Sequence, residues 1–102
     1  MNLEEYKKAV DDLYQSKGWN TDWMWLYSAL NVEIGELGQE ILKQRTEQEK
    51  AEEFADVMHY LLELMKQQCP SADLDVALLS KITSNKVNKK KTTDKAGNVV
   101  LK

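Results

Sequence analysis

The sequence has few residues that form turns or cross-links, with one proline, four glycines and one cysteine among 102 residues. Scarce proline and glycine argue against a β sandwich, which needs a turn about every 8–12 residues. A single cysteine, Cys69, excludes an internal disulfide and a thiolate zinc site. We interpret Cys69 as a small buried apolar residue, and we expect a reduced, cytoplasmic protein.

The sequence also lacks long apolar stretches and an excess of positive charge. No run reaches the ~18 apolar residues of a membrane span, and the first residues lack the apolar core of a signal peptide, so we expect no membrane partner. Residues 1–85 carry eight Lys and Arg against sixteen Asp and Glu, a net charge of −8. This acidic body argues against nucleic-acid binding. Residues 86–102 carry six Lys and one Asp, a net charge of +5.

Helix-capping patterns divide the chain into segments. Asn2 followed by Glu5 is a capping box, and it opens a helix that Gly18 is expected to close. A second helix is expected to begin at one of two caps, Thr21 or Asp22, and to run to about residue 43.

The second half of the chain repeats this pattern. Thr46 and Glu49 form another capping box, and the helix that follows has to stop before Pro70. A fourth helix is expected to run to about residue 90 from one of two caps, Ser71 or Asp73. The last residues indicate a turn around Gly97 followed by a short extended end.

Four helices with short connections predict an all-α fold, an antiparallel four-helix bundle. A chain of this size buries only a modest core, so we expect oligomerisation to complete the bundle. We interpret Trp23 and Trp25 as core or subunit-interface residues, and three methionines as core residues: Met24, Met58 and Met65. We predict one domain over residues 1–91 and a short basic tail over 92–102.

Acidic residues lie in unusual places on the second and third helices. At about 100° per residue, Glu33, Glu36 and Glu40 fall among the leucines of the face that should be buried. On the third helix Glu53 and Asp56, three residues apart, lie at the border of the apolar sector. If these helices pack together, the carboxylates must repel, share protons or hold a cation. Oxygen ligands suit Mg²⁺, with Mn²⁺ as a second possibility.

These acids admit two other interpretations. Acid pairs at this spacing are common on solvated helix faces, and seventeen acids in the chain make chance pairs frequent. A di-iron carboxylate bundle requires two Glu-x-x-His units, which a chain with one histidine excludes. We interpret that histidine, His59, as a surface residue.

The segments ALNVEIGELGQEI and EEFADVMHYLLEL resemble the MazG-like, dCTPase-type all-α nucleoside triphosphate pyrophosphohydrolases. The family's hallmark is ExxE followed by ExxD. Glu33 and Glu36 match the first motif, Glu53 and Asp56 match the second, and sixteen residues separate the motifs. Tyr60, four residues after Asp56, matches a tyrosine common in the dCTPase branch.

Further along, the residues from Asp73 to Asn85 resemble the family's DLxxA…KxxxN segment at unbroken spacing. The similarity covers residues 19–89. Three positions depart from the family pattern, Val32, Lys43 and Asn88, and they affect base specificity more than metal chemistry.

The resemblance implies that the four motif acids bind Mg²⁺ and act in catalysis. A nucleoside triphosphate would dock there, and water would cleave it between the α and β phosphates to give monophosphate and pyrophosphate. The implied substrate-binding residues are Trp19, Tyr60, Lys81, Asn85 and Lys89. For Lys81 an ordinary solvated lysine is the competing interpretation. A homodimer or homotetramer with the pocket near a subunit interface is also implied.

A second class of function stays open at this point. A non-catalytic helical interaction module could carry the same acids on a solvated surface and dock an acidic partner through its basic tail. Dependence on a metal ion separates the two functions.

Overall fold

A computed structural model describes residues 1–87 and 92–100, and this part of the chain is mainly helical. Its elements in chain order are α1 (Leu3–Lys17), α2 (Trp23–Leu42), α3 (Glu47–Gln68), α4 (Leu74–Val87), β1 (Thr92–Thr93) and β2 (Val99–Val100). The all-α expectation and its four helices are therefore confirmed. The chain divides into two compact units, Met1–Ser71 and Ala72–Lys102, which we describe separately.

The first helix has the caps that its sequence predicts. Asn2 Oδ1 accepts a hydrogen bond from the Glu5 backbone N–H at 2.8 Å, and Glu5 Oε1 accepts one from the Asn2 N–H at 3.3 Å. These reciprocal bonds satisfy two donors that the helix itself leaves unpaired. At the other end Gly18 has φ +65°, a left-handed conformation that glycine adopts without steric cost.

The next two helices also begin at predicted residues. Asp22, rather than Thr21, caps α2 by accepting from the Trp25 N–H at 3.3 Å. Thr46 and Glu49 form the capping box of α3, and these hydrogen bonds lower the pKa of Glu49. This helix ends at Gln68, before Pro70, as the sequence predicts.

The first unit is built around α3, which packs against α2 and against α1. The buried apolar side chains are Tyr14, Leu26, Leu30 and Leu62. Three helices enclose little interior space, so other apolar residues lie outside it. Met24 is 61% exposed and Met58 is 39% exposed, and the core positions expected for them are wrong.

Two further burial predictions change in this unit. The Cys69 thiol is exposed, because this residue lies beyond the last turn of α3 as its C-cap. Trp23 and Trp25 are about half exposed, which excludes the core for them and leaves the subunit interface as a prediction.

In the second unit Asp73, rather than Ser71, caps α4, since its Oδ1 accepts from the Val76 N–H at 3.0 Å. Strands β1 and β2 pair antiparallel, with Thr93 opposite Val99. The connection contains Gly97 at φ +86°, which confirms the predicted turn and extended end. The predicted helix end near residue 90 lies outside the described residues.

None of the helices in the described ranges is both long and apolar enough to cross a lipid bilayer.

Candidate functional site

Three of the four predicted carboxylates meet where α2 packs against α3. Glu33 from α2, with Glu53 and Asp56 from α3, offers one oxygen each, and all three oxygens lie within 4.8 Å of one another. The two α3 residues are three positions apart, so their side chains leave the same side of that helix. We call Glu33, Glu53 and Asp56 the carboxylate cluster.

The fourth predicted acid, Glu36, lies beside the carboxylate cluster rather than within it. Its side chain is exposed, although the helical wheel placed it on the buried face. The reason is that α2 buries Leu26 and Leu30, and Glu36 lies about 120° around the helix from Leu30. Glu36 still interacts with the cluster, because its charge is the second cause, after burial, that raises the pKa of Glu33.

Burial and mutual repulsion act on the carboxylate cluster. Burial is the larger cause that raises the pKa of Glu33, followed by the charges of Glu36 and Asp56. Burial and the charge of Asp56 likewise raise the pKa of Glu53. A raised pKa means that the ionised carboxylate is disfavoured in the folded protein. Binding of a proton or a cation would remove this unfavourable free energy.

Two oxygens of the carboxylate cluster have no hydrogen-bond partner. Glu33 Oε2 and Glu53 Oε2 are buried, and neither accepts a hydrogen bond from any residue in the described part of the chain. Buried carboxylate oxygens are normally hydrogen-bonded or bound to a cation. A set of oxygen-only ligands with two buried oxygens free is chemically suited to Mg²⁺ or Mn²⁺.

Two members of the carboxylate cluster, Glu33 and Asp56, line a cavity of about 500 Å³. This size lies within the range of small-molecule sites. The cavity is lined by Tyr14, Trp19, Asn20, Trp25, Glu33, Asp56, His59 and Tyr60. One side of it therefore carries negative charge, and most of the remaining wall consists of aromatic rings.

The aromatic rings support one another. Trp19 contacts Tyr14 edge-on with ring centroids 5.3 Å apart, and Trp25 lies 6.0 Å from Tyr60. Trp19 and Tyr60, the two aromatic residues predicted to bind substrate, thus line the same cavity as Glu33 and Asp56.

His59 is not the surface residue that the sequence led us to expect. Its ring is half-buried against Tyr14, Trp19 and Tyr60, and its Nδ1 lies 3.4 Å from the Tyr14 hydroxyl. Burial lowers the pKa of His59, which opposes the smaller effect of Asp56. The helical wheel considered only the leucine face of α3, whereas α1 covers a second face of this helix.

Sequence reasoning missed Tyr14 and Asn20 as cavity residues. A signal was present, because Tyr14, Trp19 and Trp25 cluster around the connection between α1 and α2. Aromatic residues that cluster near the junction of two helices can together form one wall of a cavity.

The remaining predicted substrate residues belong to the second unit. Lys81 and Asn85 lie one turn apart on α4, and both side chains are exposed. Lys89 lies outside the described residues. A substrate-binding role stays a prediction for these three residues.

Comparison of the chain with family models, with curated proteins and with solved structures identifies no match.

Proposed function

We propose that the protein is a Mg²⁺-dependent nucleoside triphosphate pyrophosphohydrolase. It would cleave a ribo- or deoxyribonucleoside triphosphate between the α and β phosphates, and release nucleoside monophosphate and pyrophosphate. One observation carries the proposal: carboxylates from two separate sequence motifs converge on one wall of a cavity whose other walls are aromatic.

The carboxylate cluster would hold the metal ion, with Glu36 next to it as a further ligand or base. When bound, the ion supplies positive charge that offsets the phosphate charge and lowers the pKa of water. The acids alone would repel a triphosphate, so substrate binding should require the cation. Glu36 is exposed and interacts with Glu33, and it is available to accept a proton from water at the edge of the cluster.

The aromatic wall would bind the nucleobase. Stacking of a base on an aromatic side chain contributes about 1–3 kcal/mol. Trp19 is 47% exposed, so its ring retains accessible surface for a base, and Tyr60 lines the same cavity. Stacking on this aromatic wall does not distinguish one base from another, because every base has a π face. Selection of a particular base therefore requires polar contacts.

The proposal includes an assembly. The four helices would form an antiparallel bundle that is completed in a homodimer or homotetramer, and the half-exposed Trp23 is available for such an interface. Lys81, Asn85 and Lys89 would contact phosphate or sugar in the assembled protein, since cationic and amide groups bind phosphate oxygens well.

The decisive experiment is a panel of triphosphates assayed for pyrophosphate and monophosphate with Mg²⁺ and with excess chelator. We expect both products with Mg²⁺ and no turnover in chelator. Glu53→Gln should abolish turnover, whereas Glu52→Gln, a neighbouring acid outside the carboxylate cluster, should retain it. Release of single phosphate, or turnover that persists in chelator, contradicts the mechanism. No turnover with any triphosphate favours the interaction module.

A further inference from the structure

His59 and Asn20 lie beside the aromatic rings that line the cavity. Local hydrogen bonds orient both side chains and thereby determine which of their atoms can bind a ligand. Tyr14 is 2% exposed, and burial raises its pKa to about 12, so its hydroxyl keeps its proton. Among the described residues the only hydrogen-bond partner of that hydroxyl is His59 Nδ1. Because a buried hydroxyl without an acceptor is costly, the hydroxyl donates to Nδ1.

We assign the tautomer of His59 from this contact. With its pKa lowered by burial, the ring is neutral near pH 7 and carries one proton. Nδ1 accepts from Tyr14, so the proton is on Nε2, and His59 is a hydrogen-bond donor on its other side. Ring contacts with Trp19 and Tyr60 hold it in place.

Asn20 is oriented in the same manner by its own loop. Its Oδ1 accepts a hydrogen bond from the Asp22 backbone N–H at 2.8 Å. This bond uses one lone pair of the amide oxygen and orients the amide, and the Nδ2 amino group can only donate. The cavity thus combines two donors, each fixed by a partner that is not a ligand.

We propose that His59 Nε2–H and Asn20 Nδ2–H₂ are specificity-determining donors that select a nucleobase with an exocyclic carbonyl over its amino counterpart. This inference rests on the proposed function, because it assumes that a nucleobase enters the aromatic part of the cavity. The chemistry gives the direction: uracil and hypoxanthine present a carbonyl acceptor where cytosine and adenine present an amino donor. Where a protein donor faces a donor of the base, both groups lose their hydrogen bonds. Such a mismatch discriminates between two bases more strongly than a small difference in their size does.

Binding of nucleoside monophosphates with Mg²⁺, measured by titration calorimetry, tests the proposal without requiring turnover. The two matched pairs are uridine against cytidine monophosphate and inosine against adenosine monophosphate. We consider whichever pair, pyrimidine or purine, binds more tightly. Within that pair we expect the nucleotide with the carbonyl base to bind about 10-fold more tightly than the one with the amino base. Equal affinities, a preference for the amino base, or no binding of either pair overturns the proposal.

Variants assign the preference to the two side chains. His59→Leu should reduce the ratio of affinities to within about twofold, and His59→Gln, which restores a donor, should recover part of it. Asn20→Asp keeps the oxygen that caps the Asp22 N–H but removes the amide donor, and it should also reduce the ratio. Asn31→Asp, on α2 outside the cavity lining, is the matched control and should leave the ratio unchanged.

The two proposals fail in different ways. If pyrophosphate is not released but the carbonyl preference and its loss in His59→Leu are observed, the proposed reaction is wrong and the base site stands. If pyrophosphate is released while His59→Leu and Asn20→Asp keep the wild-type ratio, the reaction stands and the assignment of these donors is wrong. Urea unfolding of each variant confirms that a changed ratio comes from a folded protein.

Discussion

Carboxylates lie on both sides of α3, and the two groups differ in their surroundings. Toward α2 the carboxylate cluster faces a cavity, and Asp56 in it is exposed. Toward α1 the side chain of Glu63 is completely buried, near Asp11. Glu63 Oε1 accepts from Gln67 Nε2 at 2.8 Å, whereas Glu63 Oε2 and Asp11 Oδ1 are buried and accept no hydrogen bond from any described residue.

The comparison shows two ways in which one helix accommodates buried acids. Burial raises the pKa of Glu63 to about 7, with Asp11 adding to the effect while Gln67 and Lys66 oppose it. A proton held by Glu63 would satisfy the facing oxygens of both acids. The carboxylate cluster has the same repulsion, but it opens to a cavity that a cation and its water ligands can reach. The enclosed pair is therefore suited to sharing a proton, and the open cluster is suited to the metal ion of the proposed function.

The largest expected effect is a difference in turnover between a variant of the carboxylate cluster and a variant of the enclosed Glu63–Asp11 pair. Asp56→Asn removes a proposed metal ligand from the open cluster and should lower turnover with Mg²⁺ by at least about 100-fold, because metal affinity and stabilisation of the transition-state charge would both depend on its carboxylate. Glu63→Gln changes the enclosed pair to the same extent but leaves the cluster intact, so its turnover should stay near wild type. Equal losses in both variants would show that the distinction is wrong. Steady-state pyrophosphate release measures both.

The second effect is the pH dependence of stability. The pKa of Glu63 is about 7 in the folded protein and 4.5 ordinarily, so the folded state binds the proton more tightly. The stabilisation is complete below about pH 4.5 and is lost as the pH rises through 7. Glu63→Gln imitates the protonated acid, so it should match wild type near pH 4.5 and exceed it at pH 8 by about 1–3 kcal/mol.

Urea unfolding of wild type and Glu63→Gln at a series of pH values measures this difference. Raised pKa values of Glu33 and Glu53 contribute with the same sign in both proteins and cancel from the comparison. A constant difference between pH 4.5 and 8 would show that Glu63 does not hold a proton in the folded state.

The helices and the open carboxylate cluster are easier to predict from the sequence than the enclosed pair of Glu63 and Asp11. Local signals decide where helices begin: the sequence alone predicts the caps Asn2 and Thr46, and it narrows the other two to pairs of candidates that include Asp22 and Asp73. The meeting of Glu33 with Glu53 and Asp56 is predictable once α2 packs on α3, because Glu33 lies among the leucines of its helix and the other two border the apolar sector of theirs.

The surroundings of His59 and Glu63 were not inferable in the same way. Both depend on which face of α3 receives α1, and that choice arises from packing between segments more than forty residues apart in sequence. A helical wheel describes one helix at a time and contains no such information. Tyr14, the residue that joins α1 to the cavity, was missed for this reason.

A smaller effect concerns repulsion in the metal-free open cluster. In excess chelator, Asp56→Asn should be more stable than wild type by about 0.5–2 kcal/mol, because one of several like charges is removed from a functional site. Mg²⁺ should then raise the melting temperature of wild type and leave that of the variant nearly unchanged. Glu52→Gln is the control and should respond to Mg²⁺ as wild type does. Identical melting of Asp56→Asn and wild type in both conditions would contradict the assignment of Asp56 as a ligand.

The smallest effect uses salt to distinguish an open from an enclosed site. Raising the concentration of tetramethylammonium chloride, whose large cation does not coordinate carboxylates, shortens the screening length from about 30 Å at 0.01 M to below about 8 Å. Screening should stabilise metal-free wild type relative to Asp56→Asn by a few tenths of a kcal/mol, since Asp56 is exposed. The difference between wild type and Glu63→Gln at pH 8 should not change, because solvent ions do not reach a buried acid. Thermal unfolding in chelator measures both differences. If salt changes the Glu63 difference as much as the Asp56 difference, both groups are open to solvent, and the proton and metal roles assigned to the two sides of α3 cannot both hold.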